Sequence, residues 1–228
     1  ADIITHQSFR LWFDPNEPDD VDVEIAARHK RGTGETPWGG PGYQLPLRRK
    51  MYYNAFRVLP QLFKVPQPTV RLAEGEYISL ARRKWMAIHT PGHTEDHLCL
   101  FDADTGVMLC GDHVLPTITP HISGMSKYPD PLEGFFNSLD KVGAFGSQVG
   151  ICLPAHGKPF ADIATRCEQI KEHHKGRLEK LRTSAAELDR PATVTEFSGH
   201  LFSPRAQGTM ADSETFAHLE HLRIAGEF

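Results

Sequence analysis

Three times in this 228-residue chain a short apolar run ends in a turn-forming pair and then a residue able to bind a metal. Trp85 to Thr90 runs into Pro91-Gly92-His93, Val107 to Cys110 into Gly111-Asp112, and Ile151 to Leu153 into Pro154-Ala155-His156. Apolar runs of this length, bounded by Gly and Pro, read as strands. Loops at strand ends are where scaffolds carry their chemistry. Packing alone gives no reason for two imidazoles and a carboxylate to recur at that position. The chain is therefore expected to build a sheet with a site at its edge.

Other elements follow from periodicity. Strands are expected at 69–72, 76–80, 85–90, 97–101 and 107–110, with turns at Ala73-Glu74-Gly75 and Asp104-Thr105-Gly106. Leu132, Phe135, Phe136 and Leu139 share one face of a short helix over 132–142. Ile163, Cys167, Ile170, His174, Leu178, Leu181, Ala185 and Leu188 form one stripe of a long helical region over 160–188. His174 on that stripe reads as a core histidine. Pro191 ends the element, and two short helices follow, the last over 213–225 with Ser213 as its N-cap.

Upstream, 14–20 is an acidic loop broken by proline, and 21–30 has some helical character. Residues 31–46 hold five Gly and three Pro in sixteen positions and read as loop: a flap tipped by Trp38 or Tyr43, or a plain connector. Residues 47–64 place Tyr52, Ala55, Phe56, Leu59, Leu62 and Phe63 on one helical face, beside the basic run Arg48-Arg49-Lys50.

The ordered motifs TPGHT, GDxxL and PAHG resemble the metallo-β-lactamase fold superfamily over residues 70–159. A weaker similarity to its hydroxyacylglutathione-hydrolase-like hydrolases extends toward the C-terminus. The resemblance implies an α/β fold, an αββα sandwich over 1–160, followed by a small helical, winged-helix-like tail over 161–228. It implies that His93 binds one metal, His156 a second, and Asp112 both. It also implies that His97 supports the ligands from behind, with His113 beside them and His121 as a pocket candidate. Two Zn2+ ions per complete site are expected, Fe2+ being the other metal used on this fold.

The family's HxHxDH motif does not occur in the chain, and the nearest sequence is Thr5-His6-Gln7-Ser8. The chain is accordingly expected to be the C-terminal part of a longer protein, with an N-terminally incomplete sandwich. Metal binding by this chain alone is expected to be weak. The implied activity is metal-dependent hydrolysis, by metal-bound hydroxide, of a small-molecule thioester, ester or lactone. The alternatives are an iron persulfide-dioxygenase-like enzyme and a degenerate, non-catalytic interaction protein.

Composition narrows the partners. A net charge of −4 argues against general nucleic-acid binding, and hence against a nuclease. No run of 18 apolar residues is present, so no membrane span is expected. Cys99, Cys110, Cys152 and Cys167 lack CxxC spacing and read as buried thiols, which favours a reducing, cytoplasmic compartment. The non-basic tail suits a lid or a homodimer surface better than a DNA-binding one.

Overall fold

A computed structural model describes residues 2–9, 36–39, 46–48, 51, 55, 68–126 and 128–228. The expected elements at 14–30, the Tyr43 tip of the flap and most of the helix at 47–64 lie outside the described residues. The chain divides into two compact units, Ala1–Arg71 and Leu72–Phe228. In the first, strand β1 (Ile4–His6) pairs with β2 (Val70–Leu72).

The second unit holds a five-stranded sheet in the order β3 (Tyr77–Leu80), β4 (Arg83–His89), β5 (Leu98–Asp102), β6 (Val107–Gly111), β7 (Ile151–Pro154). The first four strands are antiparallel neighbours. β7 runs parallel to β6 after the helical crossover α1 (Pro131–Gly143). Ala81 and Arg82 both take positive φ between β3 and β4, as a two-residue hairpin loop requires. Between β5 and β6 the Asp102 carboxylate accepts hydrogen bonds from Asp104 N (3.1 Å) and Thr105 Oγ1 (2.6 Å), which closes the turn.

Ile88, Cys99, Phe101, Met108, Cys110 and Cys152 of the sheet form one core with α1 and with α2 (Ile163–Leu188). α1 contributes Phe135, Leu139 and Val142, and α2 contributes Ile163, Cys167 and Ile170. All four cysteines are buried free thiols. Two further helices, α3 (Val194–Leu201) and α4 (Thr209–Ile224), pack against the second half of α2 around Leu132, Leu178, Leu181, Phe197 and Leu222. The helical residues after 162 thus belong to the same compact unit as the sheet. The fold is mixed α/β.

Two boundaries differ from expectation. α2 begins at Ile163 rather than 160, because Phe160 pairs with Cys152 as an extension of the sheet. α4 begins at Thr209, so Ser213 is not its N-cap. The cap position falls on Gly208, and Ser213 sits buried inside the helix with its hydroxyl turned to another segment. No described helix is long and apolar enough to cross a membrane.

Candidate metal centre

Strand register brings the three motif loops to one edge of the sheet. His89 pairs with Leu98, and Gly111 with Pro154, so β4, β6 and β7 all end on that side. The loops they carry hold His93, Asp112 and His156. The Nε2 of exposed His156 lies 3.4 Å from Asp112 Oδ1. That carboxylate oxygen is buried and accepts no hydrogen bond among the described residues. Ala155 N donates to Gly111 O at 2.8 Å, tying the two loops together behind the side chains.

His97, immediately before β5, organises the backbone under Asp112. Its Nε2 accepts the Asp112 N–H at 3.1 Å, so the ring proton resides on Nδ1, which lies 2.7 Å from Thr90 Oγ1. Burial, and next the charge of nearby His93, push the His97 imidazole down to about 4, against the opposing pull of Asp112. At neutral pH it is therefore uncharged and able to accept. Gly111 makes this contact possible. Its φ is +52°, and a Cβ there would lie 2.4 Å from His97 Nε2.

His93 follows Gly92, where a Cβ would lie 2.4 Å from Phe135 Cδ2. Its Nδ1 donates to the His121 carbonyl at 2.9 Å, which fixes the tautomer and leaves Nε2 as a lone-pair donor. His113 is fully buried, with its ring edge-on to Phe135 at 5.2 Å and 5.8 Å from His97. It lies in the core rather than in an open cleft, and burial lowers its pKa to about 3. His6 belongs to the first unit, where its Nδ1 accepts from Ser8 N and lies 2.6 Å from Ser8 Oγ.

A second group of ligand-type side chains lies between α2 and α4. Ligand atoms of His174, Glu214 and His218 all fall within 4.8 Å of one another, and all three residues are buried. His218 Nδ1 donates to Glu214 O at 2.7 Å, so its Nε2 accepts from His174 Nδ1 at 3.0 Å. The Glu214 carboxylate is paired with Arg177 and lies 3.4 Å from His121 Nδ1. This trio could hold a cation: His174 Nε2 is buried with no hydrogen-bond partner among the described residues, while Arg177 already supplies Glu214 with a positive charge. Its sequence signal is the Glu214–His218 spacing of four on one helix face. That signal is common in surface helices and did not mark the pair out.

A sheet with helices packed on it and metal-type donors on three strand-end loops defines an α/β protein with a candidate metal site. Comparison with known proteins narrows the class. The profile of the Metallo-beta-lactamase superfamily matches residues 19–156, more than half of the chain, and the chain belongs to that superfamily. It is similar to a beta-lactamase domain protein of Burkholderia ambifaria, with a TM-score of 0.65 and 33% identity, over 75% of this chain and 51% of that one. A metallo-beta-lactamase family protein of Thermus thermophilus gives a TM-score of 0.63 and 30% identity, over 79% and 62%. Among curated relatives, the lactamase-like protein nscB of Aspergillus fumigatus is 28% identical over 60% of this chain and 36% of its own length. The chain thus spans about a third of the length of the curated relatives it matches.

Proposed function

We propose that the sheet edge carries part of a divalent-metal centre, and that the protein to which this chain belongs is a hydrolase of small thioesters, esters or lactones. The observation that carries this reading is the buried, unmatched Asp112 Oδ1 facing His156 Nε2 at 3.4 Å. A buried carboxylate oxygen in that condition, with an imidazole nitrogen opposite, is an arrangement that a cation stabilises.

The residues divide the work. Asp112 and His156 offer oxygen and nitrogen across the gap between the β6 and β7 loops. His93 offers Nε2, because Nδ1–H is committed to the His121 carbonyl. His97 holds the Asp112 backbone through its N–H, and Thr90 holds His97. A bound metal of the zinc type supplies one thing these side chains lack, a water acidified to a pKa of about 7. The preference for thioester, ester or lactone over β-lactam comes from the hydroxyacylglutathione-hydrolase-like resemblance. A small-molecule substrate and Zn2+, with Fe2+ as the competing metal, complete the proposal.

Three donors shared between two metals fall short of the three protein ligands that each catalytic zinc normally has. Elemental analysis of the chain purified without chelator should therefore find well under one equivalent of metal. Titrated Co2+ should bind weakly and in a manner abolished by Asp112→Ala. One or two tight equivalents that vanish on Asp112→Ala would mean that the chain supplies further donors, and His6 would be tested first. Metal that survives Asp112→Ala and disappears on His218→Ala would place the centre at the helical trio and overturn the assignment.

A further inference from the structure

The segment between β6 and α1 passes under the site and is held from two sides by the helical tail. From α2, Arg166 Nε donates to Leu115 O at 2.7 Å and Nη2 to Ile118 O at 3.0 Å. From α4, Ser213 receives the Gly124 N–H on both its carbonyl oxygen and its hydroxyl, each at 3.1 Å. Glu214 Oε2 lies 3.4 Å from His121 Nδ1 and is steadied by the Arg177 ion pair. Ile122, between these two anchors, is fully buried in the same core as Ala217 of α4. Gly124 fits so closely that a Cβ would lie 2.5 Å from Ser213 O and 2.8 Å from Phe216 Cδ1.

This segment presents the His121 carbonyl to His93. We propose that α4 is a working part of the candidate metal centre: Ser213 and Glu214 are positioning residues that hold 121–124, and so decide which nitrogen of His93 faces the metal. The tail is then part of the framework of the site. It sets the tautomer of a ligand from behind, a role in which loss of the partner costs about ten- to a hundredfold in metal affinity in typical sites. The proposal rests on the reading of His93 as a ligand, but its first consequence can be measured with no metal present.

Long-range 1H–15N spectra of the full metal-free chain, labelled at histidine, report the tautomer of each ring. His93 should carry its proton on Nδ1. In Glu214→Leu and in Gly124→Ala that preference should be lost, with His93 shifting toward the Nε2–H form while the amide spectrum of the sheet is retained. Co2+ affinity should fall at least about tenfold in both variants. Thr193→Ala, which removes the cap of α3 through bonds made only to Glu196, should leave the His93 tautomer unchanged. A His93 ring still protonated on Nδ1 in both folded variants would overturn the proposal, and so would a Thr193→Ala variant that moves it equally. If Gly124→Ala fails to fold, Glu214→Leu, which introduces no steric overlap, carries the test. Failure of the metal reading is seen separately, as Co2+ binding that persists in Asp112→Ala.

Discussion

Gly111 concentrates two demands in one residue. Its φ of +52° disfavours any side chain, and His97 Nε2 occupies the space a Cβ would need. Gly111→Ala should therefore combine left-handed backbone strain with displacement of the ring beneath Asp112. The expected loss is about 2–4 kcal/mol of stability, measured by urea unfolding, together with a shifted His97 side-chain resonance. The placement of His93, Asp112 and His156 on strand-end loops was legible in advance from the turn residues before them. The bond from the Asp112 N–H to the His97 ring was not legible, because it depends on a ring tautomer and on the approach of two loops. Nor was the pairing of the His121 carbonyl with His93, since a backbone acceptor leaves no trace in residue type.

At the scale of elements, the strands of the sheet and the helices α1 and α2 lie close to where periodicity puts them. α4 shows why boundaries are harder. A Ser-Glu pair before an apolar run resembles a helix start, yet Ser213 and Glu214 lie one turn inside the helix and are spent on the 121–124 segment. Partners this distant in the chain cannot be read from local pattern. α3, by contrast, has a complete local signature. The Thr193 hydroxyl accepts from Glu196 N at 3.2 Å, and the Glu196 carboxylate accepts from Thr193 N at 2.8 Å, a reciprocal capping box. Thr193→Ala should cost about 1 kcal/mol. It should be visible as a lower unfolding midpoint and as faster amide exchange in α3, with the sheet amides unaffected.

For the whole folded unit, buried histidines tie stability to pH. Burial, reinforced by mutual repulsion with His218, holds His174 down to about 2, and burial holds His218 down to about 4. Both are thus neutral in the folded unit where an unfolded histidine, near about 6.5, would take a proton. As pH falls below about 6.5 the unfolded state binds protons that the folded state refuses, and stability declines. The slope is about 1.4 kcal/mol per pH unit for each such group, over the window from about 6.5 down to about 4. Above that window this contribution is fully present and flat. Urea midpoints recorded across it should show the decline, and His174→Phe should reduce the proton uptake on unfolding by about one.

The clamp on residues 121–124 joins partners 93 and 89 positions apart in sequence. Contacts of such long range form late, because the intervening chain must first be gathered. A nascent chain that has emerged only as far as α2 already holds every strand of the five-stranded sheet and all three motif residues. It still lacks Ser213 and Glu214. In the order of synthesis, the residues that would carry the metal come first, and those that orient one of them come well after. A cell therefore makes the scaffold of the candidate site before it makes the residues that hold the 121–124 segment in place.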